Sequence, residues 1–209
     1  MHNRRTTVRM LFRVARRLGL AESDPTLDLV LPPRLSCGFR PLTGAEIALS
    51  RDAATWWMSS QRFATVWALA EATARGTELG AVRVTDLDLV NRRVWLSGGT
   101  RVEPRWASLT DWSMTVLERR LTTLSAGDFL AYGGNSPHTA GRASAASAVT
   151  AVLTRAGLHG EADIRPSSVA AWAGRAVFDR TGDIRAAARA LGMRSLDHTA
   201  RMIGWDWTN

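Results

Sequence analysis

Arg75 is the residue best placed for chemistry in this sequence, because it lies in a sharp bend lined by alanine and glycine. An apolar helical stretch ends just before it, and a helical turn is predicted to begin at Glu78. A guanidinium group at such a junction can bind two phosphate oxygens at once. The alternative is a structural arginine paired with Glu78 or Asp86. The sequence leaves both interpretations open.

The segment after this bend is predicted to form short strands. β-Branched, aromatic and other apolar residues alternate there, separated by the turn residues at 91–92 and 97–100. The residues that carry this pattern are Leu87, Leu89, Val94, Trp95, Leu96, Trp106 and Ser108. The predicted fold class is therefore mainly α-helical with a small antiparallel three-stranded β-sheet, and an arginine lies at the helix–sheet junction.

The charge balance predicts a polyanionic partner. The chain has 27 basic and 19 acidic residues, a formal net charge of +8, and every basic residue is arginine. Guanidinium groups bind phosphate well, so nucleic acid is the partner that this composition favours. A basic surface that serves only solubility is the alternative.

Composition also argues against several classes of protein. At 209 residues the chain can form one good core, and no apolar run approaches the roughly 20 residues that span a bilayer. A single cysteine excludes an internal disulfide and a cysteine-based zinc site, and no two histidines have zinc-ligand spacing. We expect no metal, no cofactor and no membrane partner, and a cytoplasmic, nucleoid-associated location.

The N-terminal segment is predicted to be separate from the main domain. Residues 4–18 have apolar residues at helical spacing and an opposite basic stripe that includes Arg5, Arg9 and Arg13. Residues 22–40 are rich in proline and form a predicted linker. The predicted domains are therefore residues 1–40, a basic amphipathic helix plus linker, and residues 41–209, a DNA-binding domain.

Four helices are predicted before the last third of the chain. Thr43 and Glu46 form a capping box for the first, which runs through Leu49. The others begin near Gln61, at Asp111 and near residue 143, and a Gly/Pro loop covers 133–137. The tryptophans at 56, 57 and 67 are expected in the core rather than as base-stacking platforms.

The last third of the chain supports two interpretations. In one, Pro166 opens a helix, Asp183 caps the next, Gly192 ends it, and Ser195 or Asp197 begins a final helix. In the other, residues 183–203 form a helix-turn-helix whose second helix reads bases. Both interpretations lead to DNA, and His198 could lie near it.

The stretch Ala72-Thr73-Ala74-Arg75-Gly76-Thr77-Glu78-Leu79 resembles the opening of the catalytic domain of tyrosine recombinases, the phage-integrase family. That family has roughly T-G-x-R-x-S-E-L followed by a hairpin, so the arginine and glutamate match and the leading Thr-Gly does not. The resemblance extends from residue 40 to the closing helices at 164–202. It implies the family fold and, for residues 1–40, a remnant of the domain that clamps DNA.

The resemblance fails at the groups that cut DNA. Strand exchange requires a tyrosine nucleophile and a cluster of cations around the scissile phosphate. Of the groups that the family uses, Arg75 alone is in place. Ser167 and Ala170 occupy the His-x-x-Arg positions, and Met202 occupies the position of the nucleophile. Thr100 stands in place of the lysine and Met193 in place of a later His or Trp, while Tyr132, the chain's single tyrosine, is expected in a loop.

The resemblance therefore implies a catalytically inactive recombinase-like protein that binds double-stranded DNA, as a repressor, a segregation or centromere protein, or an architectural factor. A homo-oligomer on DNA is possible under this hypothesis. The alternatives are an inactive subunit that modulates an active recombinase, a helix-turn-helix regulator using residues 183–203, and an enzyme with a rebuilt site. The predicted DNA contacts are Arg75, Arg101, Arg105, Arg142, Arg165, Arg175 and Arg194, with Arg5, Arg9 and Arg13 on the N-terminal helix.

Overall fold

The structure is a computed structural model that describes residues 2–27, 38–56, 60–132 and 139–206, without the side chains of 2–6 and 139–142. The chain divides into two compact units, Met1–Ser36 and Cys37–Asn209. In the first, helix α1 spans His2–Arg17. The Arg9 guanidinium donates to the carbonyls of Thr26, at 3.1 and 3.2 Å, and Leu27, at 3.0 Å. These bonds tie the segment after the helix back to α1.

The second unit is mainly helical. Its described helices are α2 (Gly44–Trp56), α3 (Gln61–Glu71), α4 (Gly76–Leu79), α5 (Asp111–Leu121), α6 (Thr139–Arg155), α7 (Ser167–Thr181), α8 (Ile184–Leu191) and α9 (Leu196–Met202). A short 3₁₀ turn covers Val84–Asp86. Together with the sheet below, this confirms the predicted fold class.

One antiparallel sheet of three strands follows α4, in the order β1 (Leu87–Asp88), β2 (Arg93–Leu96) and β3 (Arg105–Ser108). Trp95 of β2 lies opposite Trp106 of β3, and Leu96 lies opposite Arg105. Side chains alternate between the two faces of a strand, so the inward face of β3 carries Arg105 and Ala107. An arginine therefore enters the core from the sheet.

Helix α3 forms the centre of the core, and α5, α6 and α2 pack around it. Every residue from Ala64 to Glu71 is buried, as expected for a helix that is apolar on all sides. Trp67 is fully buried and its Nε1 donates to Glu71 at 2.8 Å, which confirms its predicted core position. The prediction for Trp56 is wrong, since 78% of that residue is exposed at the end of α2. Trp57 lies outside the described residues.

The predicted helix signals hold in most places. Glu46 accepts from the Thr43 backbone amide at 2.7 Å, which confirms the capping box. Asp183 and Ser195 cap α8 and α9 as predicted. The cap of α5 is Thr110, one residue before the predicted Asp111, because the Thr110 hydroxyl accepts from the third helical amide. Helix α2 extends beyond Leu49 to Trp56, α6 begins before residue 143, and the predicted loop at 133–137 lies outside the described residues.

Candidate nucleic-acid interface

Arg75 lies in a tight bend between α3 and α4. The bend forms because Thr73 takes a positive φ of 70°, a conformation that is uncommon for a non-glycine residue. The Thr73 hydroxyl donates to the Ala190 carbonyl at 2.8 Å and so holds the bend against α8. Arg75 is then the N-cap residue of α4, and its backbone amide donates to Glu78 at 3.0 Å. These contacts fix the position from which the Arg75 side chain starts.

The Arg75 guanidinium is half-buried and has no carboxylate partner within the described parts of the chain. One terminal nitrogen donates to the Leu191 carbonyl at 3.1 Å and approaches the Met202 sulfur at 3.6 Å. The buried Nε has no hydrogen-bond partner among the described residues. Burial lowers the pKa of Arg75, and the positive charge of Arg105 adds to this effect, with partial compensation by Glu78. The described residues thus provide polar contacts for this cation but no counter-ion.

The carboxylate of Glu78 is occupied by another arginine. Arg105 donates to both Glu78 oxygens, at 2.9 and 3.2 Å, and the two side chains are 6% and 1% exposed. Arg105 also donates to the Thr73 carbonyl at 2.7 Å. The carboxylate of Asp86, the other partner considered for Arg75, accepts from the backbone amide of Arg83 instead. The described contacts therefore give Arg75 neither of the structural ion pairs considered from sequence.

Arg105 is buried, whereas a phosphate contact requires an accessible guanidinium. Its guanidinium is enclosed between the bend at Thr73 and the end of α8. Of the sequence-derived DNA candidates, Arg105 is therefore a positioning residue, which neutralises Glu78 and stabilises the bend before Arg75. The alternation that predicted β3 already indicates this orientation, since outward Trp106 and Ser108 require an inward Arg105.

Hydrogen bonds from backbone amides attach both ends of the hairpin between β2 and β3 to the residues around Arg105. The Gly98 amide donates to Glu78 at 3.2 Å, and the Glu103 amide donates to the Gly192 carbonyl at 2.9 Å, at the end of α8. Gly98 has a φ of +72°, and a Cβ there would lie 2.5 Å from the Val102 carbonyl oxygen, so the turn requires glycine. Arg101 is exposed in this hairpin and makes no ion pair with any described residue.

Helix α9 brings a thioether, not a hydroxyl, to Arg75. Met202 is buried, and its sulfur contacts the guanidinium. His198 lies one turn earlier on α9, and burial, together with the charges of Arg201 and Arg75, lowers the pKa of His198. The ring of Tyr132 stacks on Phe129 at 5.0 Å, in the segment after α5. In the described parts of the chain, Arg75 makes no hydrogen bond to a hydroxyl group.

A cavity of about 300 Å³ lies beside Arg75. Four helices line it, mostly with small side chains, and among the described residues its walls contain no acidic group. The lining residues are Ala70, Ala74, Arg75, Gly76, Leu79, Ala146, Ser147, Val149, Thr150, Pro166, Ser167 and Ala170. The sequence alone does not indicate this cavity, because it depends on four separate segments meeting in space.

The other candidate arginines lie at different places. Arg165 is exposed before α7 and donates to the carbonyls of Glu161 and Ile164. Arg175, on α7, pairs with Asp179 at 2.7 Å. Arg194, in the turn before α9, pairs with Glu103, which raises the pKa of Arg194. Both pairs are exposed, so each is weak and open to exchange with phosphate. The side chain of Arg142 lies outside the described residues.

In the first unit, Arg13 is exposed and Arg9 is engaged with backbone carbonyls. The side chain of Arg5 lies outside the described residues. Across the described residues, no cluster of three or more acidic, histidine or cysteine side chains could hold a metal ion. No described helix is long and apolar enough to cross a membrane.

Comparison of the whole fold with solved structures gives a consistent result. The chain is similar to a lambda integrase dimer bound to a COC′ core site, with a TM-score of 0.72, 17% identity, and coverage of 97% of this chain and 59% of that chain. Lambda integrase bound to DNA gives a TM-score of 0.71 at 17% identity, with coverage of 98% of this chain and 75% of that chain. XerA recombinase gives a TM-score of 0.65 at 16% identity, with coverage of 99% of this chain and 73% of that chain. No protein-family model matches the sequence, and no curated protein is detectably similar to it. These likenesses establish the tyrosine recombinase catalytic-domain fold.

Proposed function

We propose that this chain, a tyrosine recombinase catalytic-domain fold, is a catalytically inactive protein that binds double-stranded DNA. The observation that carries the proposal is the contact between the Arg75 guanidinium and the Met202 sulfur at 3.6 Å. A cation without a carboxylate partner is suited to a phosphate oxygen, whereas a thioether has no proton to lose and cannot attack phosphorus. The site can therefore hold a phosphate but has no nucleophile at this position.

The arrangement around Arg75 supports phosphate binding in a second way. Arg101, in the hairpin that is fastened to Glu78, and Arg165, before α7, are both exposed. Contacts to phosphate provide affinity and position on the duplex and require no chemistry. Similar structures were solved on DNA, including a lambda integrase tetramer bound to a Holliday junction. We therefore propose a cytoplasmic, nucleoid-associated protein, with binding by one or several copies.

The test is a binding assay on purified protein with duplex DNA across a range of salt concentrations. We expect log affinity to fall linearly with log salt, at a slope of several phosphates. Arg75→Ala should weaken binding about tenfold and reduce the slope by about one. Arg119→Ala is the matched control, because it removes the same charge from an exposed position on α5 that is not among the proposed contacts. Equal effects of the two substitutions would contradict the proposed site.

Three further measurements distinguish a rebuilt enzyme, the possible roles of a DNA-binding protein, and a partner subunit. Incubation with nicked duplex substrates should give no covalent protein–DNA adduct, and an adduct would establish a rebuilt active site instead. Sequencing the DNA recovered with the protein from its own cells should give a sharp motif if the role is regulation or segregation, and scattered fragments if it is architectural. Binding only in the presence of an active recombinase would favour the partner-subunit hypothesis.

A further inference from the structure

We infer that the cavity beside Arg75 binds a small organic anion, an apolar body that carries one carboxylate or phosphate group, and that this ligand competes with DNA for Arg75. The competition rests on the proposed function, whereas the binding site itself does not. Of the predicted DNA contacts whose side chains the structure describes, Arg75 alone lines this cavity, beside Ser167 and Ala170 at the His-x-x-Arg positions.

The size and walls of the cavity define the body of the ligand. Its volume of about 300 Å³ is at the lower end of ligand pockets in general. Ala70, Ala74 and Ala170 supply an apolar surface from α3, the bend after it and α7. An apolar ring or short chain in this space gains affinity by leaving water.

The polar groups of the cavity define the charge of the ligand. Arg75 is the one charged residue among the described residues that line it, and the guanidinium lacks a counter-ion. Ser147, Thr150 and Ser167 add hydroxyl groups, which can donate to an anion. A neutral ligand of the same shape would leave the half-buried Arg75 cation uncompensated. We therefore expect discrimination by charge as well as by shape.

An anion in the cavity also neutralises the group proposed to contact DNA. The Arg75 guanidinium has one terminal nitrogen engaged by Leu191 and Met202, and its other terminal nitrogen makes no hydrogen bond to any described residue. A ligand carboxylate on this guanidinium would offset the positive charge that attracts a phosphate. The ligand then weakens DNA binding, and DNA weakens binding of the ligand by the same factor.

The test uses the full chain and three organic anions, which are benzoate, 2-naphthoate and phenyl phosphate. Benzamide and 2-naphthamide are the neutral analogues of the two carboxylates. Inorganic phosphate serves as an anion that lacks an apolar group. Ligand-observed NMR measures their binding without DNA. We expect at least one organic anion to bind about tenfold or more tightly than its neutral analogue and than inorganic phosphate. Failure of all three organic anions to bind, or binding of each of them no tighter than that of inorganic phosphate, would overturn the proposed cavity site.

A matched pair of variants tests the location. Thr150→Met places a longer side chain in the cavity, whereas Thr154→Met makes the same change one turn later on α6, outside the lining. We expect the first to weaken binding of the best organic anion about tenfold or more and the second to leave it unchanged. Equal effects of both variants would contradict the location. Circular dichroism on each variant separates loss of the site from loss of the fold.

Competition is measured separately by DNA-binding anisotropy with and without saturating ligand. The best organic anion should weaken DNA binding about tenfold, and its neutral analogue should not. An anion that binds without affecting DNA affinity would refute the coupling. DNA binding in the absence of any ligand reports on the proposed function alone, so failure of that function and failure of the cavity site give different results.

Discussion

The arrangement of charges in the core predicts a large loss of stability on substituting one arginine and almost none on substituting its neighbour. Arg105 is enclosed and paired with Glu78, whereas Arg75 is half-buried without a carboxylate partner in the described structure. We expect Arg105→Met to lower the free energy of unfolding by about 3–5 kcal/mol, because it leaves the Glu78 carboxylate buried without its partner. Arg75→Met should change the free energy of unfolding by no more than about 1 kcal/mol.

The smaller figure for Arg75 follows from two opposing contributions. Substitution removes a partly desolvated cation, which favours the folded state by about 1–2 kcal/mol. It also removes the donor to the Leu191 carbonyl at 3.1 Å, a hydrogen bond that contributes about 1 kcal/mol. Methionine retains most of the apolar contact of the arginine stem. The net effect on stability is therefore close to zero, while DNA binding should weaken about tenfold.

The assay is urea unfolding at neutral pH, followed by tryptophan fluorescence and compared at constant m-value. Arg175→Met is the matched control, since it removes an exposed arginine whose ion pair with Asp179 should contribute less than about 1 kcal/mol. Glu78→Gln should approach the cost of Arg105→Met. If Arg75→Met proves as destabilising as Arg105→Met, the assignment of Glu78 to Arg105 is wrong, and Arg75 is structural.

Two further predictions concern the stability of the domain. The Arg40 guanidinium is hydrogen-bonded to the Glu46 carboxylate and lowers the pKa of Glu46 from 4.5 to about 2. The ionised Glu46 therefore stabilises the fold fully above pH 4.5, and this stabilisation is lost as the pH falls towards 2. Glu46→Gln can still cap α2, but it should reduce the difference in unfolding free energy between pH 6 and pH 2.5 by about 2 kcal/mol in urea titrations. An unchanged pH profile would contradict the ion pair between Arg40 and Glu46. Gly182→Ala should cost about 1 kcal/mol in thermal unfolding, because its φ of +64° is strained for alanine although the space is open. Gly160→Ala, in open space without a positive φ, is the control and should be neutral or stabilising.

Local features of the fold can be predicted from the sequence because interactions between residues close in sequence determine them. The capping box at Thr43 and the caps at Asp183 and Ser195 use side chains within three residues of the amides that they bind. The strands were indicated by alternation and by the turn at Gly98. These interactions require no knowledge of distant segments, and the structure confirms them.

Errors arose where distant residues decide the outcome. Arg105 was proposed as a surface contact, although its partner Glu78 lies 27 positions away in sequence. Apolar spacing predicts core or inter-helix packing for Trp56, but this residue lies at the exposed end of α2. The cavity beside Arg75 has no local pattern at all, since alanines and serines from separate helices create it. Contacts between segments far apart in sequence determine the cavity and the pairing of Arg105 with Glu78, whereas the alternation along β3 indicates the inward orientation of Arg105.

The position of Arg75 is difficult to explain as a contribution to stability alone. A stable core pairs a buried cation with a carboxylate, and this chain does so for Arg105 with Glu78. It also pairs Arg51 with Glu71 at 2.6 Å, within the same core. Among the described residues, the Arg75 guanidinium donates only to the Leu191 carbonyl and the Met202 sulfur, and burial lowers its pKa. A bound phosphate would supply the missing negative charge, so the half-buried Arg75 guanidinium is suited to bind an external anion.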